Sequence, residues 1–214
     1  MTDRQMGFSG IAAWILFWSA TVVFGALRPA YSHIVNTVTE LGAVGTPNAV
    51  LWNVFGFIVP GVLSAVAGVG IARAVNPVPS PSRTAATVCL ALAGLAIAGQ
   101  GLMPAEMVNG VADVTSLSTR GHSISSLVSA MAWAVGALTL VGPMKRDPGF
   151  KALHIVSVAL VVLGLMAALT LRGTLPDGLA QRIGNAFFCL WFVLMSLRLV
   201  TLGRPAESAS PATS

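Results

Sequence analysis

The sequence predicts an all-α fold, a polytopic membrane bundle of six transmembrane helices. Three observations carry that reading. Hydrophobic residues make up 55% of the 214-residue chain and charged residues only 9%, against about 25% charged in an ordinary soluble domain. Mean hydropathy is +0.82. Six stretches reach or approach the roughly 20 apolar residues that a membrane-crossing helix needs. A chain this poor in charge cannot cover a water-facing surface, which excludes a soluble enzyme, a disordered protein and a nucleic-acid binder.

The six spans run over about 8–27, 50–71, 85–103, 124–141, 152–171 and 183–202. Turn chemistry separates them. Residues 76–83 hold three prolines, residues 142–149 two prolines and three charges, and 173–178 read GTLPDG. The first span is too long for a cleaved signal peptide. Residues 1–204 are expected to form one transmembrane domain, and the Pro/Ser/Ala-rich 205–214 a disordered cytoplasmic tail. Cys89 and Cys189 lie in apolar runs and form no CxxC pair, so neither a disulfide scaffold nor a thiol-redox motif is indicated.

The net charge of +5 reads as a topology signal. Arg4, Arg73, Arg83, Lys145, Arg146, Lys151, Arg198 and Arg204 fall on the side of the N-terminus, and Arg28, Arg120, Arg172 and Arg182 on the other. Eight against four places both termini in the cytoplasm of a cell whose plasma (inner) membrane holds the protein.

Polar residues gather on the opposite, outer side. In the first outer loop His33, Asn36, Thr37 and Glu40 recur at i, i+3, i+4 and i+7, with Ile34, Val38 and Leu41 between them. That spacing predicts a short amphipathic helix of about two turns. Its polar face either meets water at the interface or aims His33 and Glu40 into a cavity. The fourth span opens with His122, Ser126 and Ser129 on one stripe. A polar stripe on a membrane helix faces the bundle or a wet cavity, although serines also serve close helix packing. Arg182 and Asn185 stand at i and i+3 at the mouth of the sixth span. Arg182 either snorkels to head groups or grips a phosphate or carboxylate.

These residues resemble a known bacterial membrane family. Tyr31-Ser32-His33, Thr37, Glu40-Leu41-Gly42, Pro47 and Asn48 are similar to the Y-S-H…T-[IV]-S-E-L-G signature of the family called domain of unknown function 998, with Thr39 in the serine place. Pro104-Ala105-Glu106 resembles the family's P-x-D, and Gly121-His122 its histidine at the start of the fourth helix. Gly178-Leu179-Ala180-Gln181-Arg182, with Trp191 and Arg198-Leu199, resembles its G-L-x-[EQ]-R…W…R-L ending. The resemblance implies six helices over about residues 10–202. It implies no activity.

Glu40, Glu106 and His122 are the candidate acid–base residues, since partial burial brings carboxyl and imidazole groups toward neutral pKa. His33, Asn36, Thr37, Ser126, Arg182 and Asn185 are the candidate binding residues. No metal site is expected: only three histidines exist, and His154 falls near the other end of the fifth span. No phosphate loop or other cofactor fingerprint is present, so any cofactor is left unknown. The expected partners are membrane lipids and a small amphiphile, with no nucleic acid. Three functions stay open. The chain binds or transports a lipid or amphiphile through an outward-facing polar pocket. It is a membrane enzyme acting on a lipid or isoprenoid. Or it is a structural or partner membrane subunit whose polar set is only a lock.

Overall fold

The computed structural model describes residues 1–108 and 111–202. The expected disordered tail at 205–214 lies outside the described residues. Among the described residues six helices are long and apolar enough to cross a membrane: α1 (Asp3–Ala26), α2 (Ala49–Val75), α3 (Pro81–Leu102), α4 (Leu117–Arg146), α5 (Leu153–Thr170) and α6 (Asp177–Leu202). They are the six predicted spans, and the architecture is that of a multi-pass membrane protein.

Helices α1, α3, α4 and α6 start several residues earlier than hydropathy predicts, because caps and polar first turns set a helix start and hydropathy does not register them. Thr2 and Gln5 form a reciprocal capping box at the head of α1. The Ser116 side chain accepts from the Thr119 N–H at the head of α4. Helix α6 begins at Asp177, so Gln181 and Arg182 lie within its first turns.

In sequence order the helices pack as a ring. Helix α1 lies against α2 and α6, α3 lies between α2 and α4, and α5 lies mainly on α6. The ring closes only lightly between α4 and α5. Small residues let backbones meet where packing is tightest. A Cβ on Gly61 would stand 2.4 Å from the Ala98 nitrogen, and one on Gly94 would stand 2.3 Å from the Ala65 nitrogen. Trp14, Phe17, Trp52, Trp133, Phe188, Trp191 and Phe192 form the aromatic centre. Ile124, Leu127, Met131, Val162, Leu163, Met166 and Leu169 are exposed along α4 and α5, as lipid-facing side chains must be.

Two local features depart from a regular bundle. Residues Asn53–Ile58 of α2 form a π-helical turn just before Pro60. Proline has no N–H and its ring crowds the carbonyl four residues back. The widened turn absorbs that conflict without breaking the span. Between α3 and α4, Met107–Val108 pairs antiparallel with Val111–Ala112.

The two-turn amphipathic helix read from 33–41 is corrected. The structure has turns over 33–36 and a 3-10 helix at Val38–Gly42. Side-chain hydrogen bonds to nearby backbone compete with an α-helix in such a Ser/Asn/Thr-rich segment. Here Asn36 accepts from the Ser32 N–H at 2.8 Å, and Glu40 accepts from the Thr37 N–H at 2.8 Å.

Candidate functional site

The first loop caps the ring at the end away from the termini, and the cap is built on α6. The N–H groups of Gly178 and Leu179 have no partners within the first turn of α6. They donate to the carbonyls of Val35 (3.0 Å) and Ile34 (2.9 Å) in the loop. Such an approach requires a glycine, since a Cβ on Gly178 would lie 2.4 Å from the Asn36 oxygen.

Arg182 then fastens the loop from one turn further on. Its Nη1 donates to the Asn36 carbonyl (2.8 Å) and the Gly178 carbonyl (2.9 Å). Its Nη2 donates to the Tyr31 hydroxyl (2.5 Å) and to His33 Nδ1 (3.2 Å). A guanidinium only donates, so His33 Nδ1 accepts and the imidazole is neutral. Desolvation, reinforced by the Arg182 charge, holds the His33 pKa below its ordinary value. The Tyr31 hydroxyl in turn donates a hydrogen bond to the Thr37 carbonyl at 3.0 Å. Burial pushes its pKa up, and the nearby Glu40 charge adds to this, against the opposing pull of Arg182.

Glu40 closes the loop on itself. Its carboxylate accepts from the Asn36 side chain (2.6 Å), the Thr37 N–H (2.8 Å) and the Thr37 hydroxyl (3.1 Å). Its carbonyl accepts from Arg28 at 2.9 Å. Asn36, Thr37 and Glu40 therefore do converge, through a capping box rather than an α-helical face. His33 does not join them and packs edge-on against Tyr31. Among the described residues no hydrogen bond joins Glu40 to His33, His122 or Arg182. Asn36 is the link, giving its side chain to Glu40 and its carbonyl to Arg182.

Glu106 belongs to another connection. Its carboxylate accepts from the Ser116 hydroxyl (2.7 Å), its N–H donates to Thr119 Oγ1 (2.9 Å), and its carbonyl accepts from Asp113 (2.8 Å). This carboxylate braces the start of α4, where an anion suits the helix dipole.

His122 joins the cap to α3. It is 7% exposed and its Nδ1 lies 3.0 Å from the Gln100 carbonyl, which can only accept. That fixes the proton on Nδ1. Nε2 lies 3.3 Å from the Thr39 hydroxyl, which itself accepts from Gln181 Nε2 (3.2 Å). Gln181 Oε1 in turn accepts from the Val38 N–H at 2.7 Å. The chain Gln181–Thr39–His122–Gln100 thus runs from α6 across the loop to α4 and α3.

Beneath this cap is a cavity of about 150 Å³. Its polar wall consists of Gln100, Ser126, Ser129, Gln181, Asn185 and Arg172. Trp14, Phe17, Phe57, Trp133 and Phe188 form much of the rest. Trp14 and Trp133 are 5% and 2% exposed, and neither indole N–H has an acceptor among the described residues. Of the sequence candidates, Ser126 and Asn185 line this cavity. His33, Asn36, Thr37, Glu40 and Arg182 lie in the cap, and His122 reaches the wall through its hydrogen bond to the Gln100 carbonyl and its edge-on contact with Phe57.

Motif reading left Trp14 and Trp133 unassigned because an aromatic in an apolar span is indistinguishable from ordinary core. Gln181 and Thr39 had a signal, since each stands inside a quoted family motif. No curated protein and no solved structure matches the chain. The family model described as "Protein of unknown function (DUF998)" matches residues 11–198, and the chain belongs to that family.

Proposed function

We propose that the protein binds a small amphiphile from the membrane in the cavity between α1, α4, α5 and α6, with the first loop as its lid. The observation that carries this reading is the cavity itself, whose aromatic wall of Trp14, Phe17, Phe57, Trp133 and Phe188 is interrupted by the polar side chains of Gln100, Ser126, Ser129, Asn185 and Arg172.

The cavity opens sideways. Ser126 on α4 and Ala168 on α5 both line it and both are exposed. They flank the seam where the helix ring closes most lightly. Their exposed neighbours, among them Leu127 and Leu169, are apolar. An opening through such a surface admits molecules dissolved in lipid. The eight-to-four distribution of Lys and Arg supports a plasma-membrane orientation with both termini cytoplasmic and the lid outside.

Glu40, Glu106 and His122 each have local partners that account for their positions. The reading therefore gives them roles in holding the lid and the α4 entry, and bond-making chemistry is not part of it.

The experiment uses Gly184, which lines the cavity and whose Cβ would meet open space. Gly184→Leu fills the cavity and removes a helix-weakening glycine. The protein is released into native mass spectrometry from nanodiscs of phosphatidylcholine, phosphatidylglycerol and their lyso forms. The parent is expected to retain one amphiphile, and Gly184→Leu to lose it while melting no lower. An equal adduct on both proteins, or none on the parent, overturns the reading.

A further inference from the structure

Resting on that reading, we infer that the ligand is an anionic amphiphile whose phosphate or carboxylate head enters the cavity while its chain stays in the bilayer between α4 and α5.

The first argument is charge and donor balance. Among the described residues the cavity wall carries one full charge, the Arg172 guanidinium, and no carboxylate. Arg172 sits just beyond the end of α5, exposed, and its guanidinium has no hydrogen-bond partner among the described residues. Its five N–H donors match an oxyanion in geometry as well as charge. Gln100, Ser126, Ser129 and Asn185 can turn a donor toward the same space. A wall of this kind favours a group that only accepts hydrogen bonds, and a phosphate or carboxylate is such a group. A zwitterionic head would bring a cation to a wall with no anion to receive it.

The second argument is size. A 150 Å³ cavity holds an object about as large as benzene. That is a head group, and it is far too small for a head with its chain. The rest of the ligand must lie outside the cavity. The seam between Ser126 and Ala168 gives it a route, flanked by exposed Ile124, Leu127, Met166 and Leu169. Depth fits as well. Ser126 lies nine residues into α4, about 13 Å along its axis at 1.5 Å per residue. Arg172 sits at the end of α5, where a charged head meets the interface.

Trp14 and Trp133 on the cavity wall make a spectroscopic test direct. The five tryptophans are labelled with ¹⁵N and the full chain is placed in phosphatidylcholine nanodiscs. The indole N–H resonances are assigned with Trp14→Phe and Trp133→Phe. Three probes are titrated: oleoyl lysophosphatidic acid, neutral monoolein and inorganic phosphate.

The expected result is a saturable shift of the Trp14 and Trp133 signals with lysophosphatidic acid, and none with monoolein. Inorganic phosphate should give no saturable shift at concentrations where the lipid saturates. Arg172→Gln should weaken the lysophosphatidic acid response about tenfold, and Arg120→Gln, at an exposed arginine near the head of α4 that does not line the cavity, should leave it unchanged. An equal response to monoolein that Arg172→Gln does not alter overturns the anionic assignment and leaves amphiphile binding standing. Saturation by inorganic phosphate alone shows a water-borne anion and overturns the membrane route. Silence to all three probes, with the native adduct still lost in Gly184→Leu, overturns this ligand class only. Silence together with no native adduct overturns both readings.

Discussion

Arg182 donates to the Asn36 carbonyl at 2.8 Å across 146 residues of sequence, and Asn36 donates its side-chain amide to Glu40 at 2.6 Å. One asparagine thereby ties the sixth helix to the carboxylate that shapes the first loop. The lid is held by hydrogen bonds to named backbone atoms, so its strength depends on geometry more than on net charge.

Replacing Arg182 by lysine therefore tests geometry at constant charge. An ammonium cannot reach Asn36, Gly178, Tyr31 and His33 together. Arg182→Lys is expected to lose about 2 kcal/mol of stability, nearly as much as Arg182→Gln. Thermal melting of both variants in the same detergent checks it. A lysine variant as stable as the parent would show that charge alone holds the lid.

Gly178→Ala tests the docking of α6 on the loop. The added methyl would stand 2.4 Å from the Asn36 oxygen and 2.8 Å from the Ile34 oxygen, both backbone atoms. Overpacking of this kind costs about 1–3 kcal/mol. The expected loss should appear as faster amide exchange at Gly178 and Leu179 as well as a lower melting point. Unchanged exchange at those two amides would contradict the contact.

The pH dependence follows from His33. Its folded pKa lies below the free value of 6.5, so the unfolded chain takes up the proton more readily. Its contribution is fully present above about pH 6.5 and is lost as pH falls through the folded pKa. A proton on Nδ1 also meets the Arg182 guanidinium head-on. The melting point should drop between pH 7 and 5, and His33→Gln should flatten part of that drop. A parent and variant with parallel pH profiles would remove His33 from the latch.

The orientation is tested with single cysteines in a Cys89/Cys189-free background. Cysteines at Pro79 and Gly149 should be shielded from an impermeant thiol reagent in intact cells, and one at Thr174 should react. The reverse pattern inverts the topology and puts the lid on the cytoplasmic face.

Much of this molecule was legible in its residues. Apolar run length located all six spans, since nothing else in a membrane offers backbone groups their partners. The ends were less legible. Thr2, Ser116 and Asp177 start helices through capping and polar first turns, which a hydropathy window discounts. The spacing of Asn36, Thr37 and Glu40 pointed to their convergence, but the 3.6-residue period named the wrong device, because a capping box also brings positions i and i+3 together. The cavity was least legible. Its wall takes residues from all six helices, among them Trp14, Phe57, Gln100, Trp133, Gly164 and Asn185, and no local pattern encodes that meeting.

The most direct measurement is an electron-microscopy structure of the protein in lipid nanodiscs, enlarged by a bound antibody fragment. The account predicts density in the cavity beside Trp14 and Trp133, continuing past Ser126 and Ala168 into the bilayer between α4 and α5. A cavity that holds only water, or is collapsed, with lipid density confined to the outer surface of the helices, would contradict it.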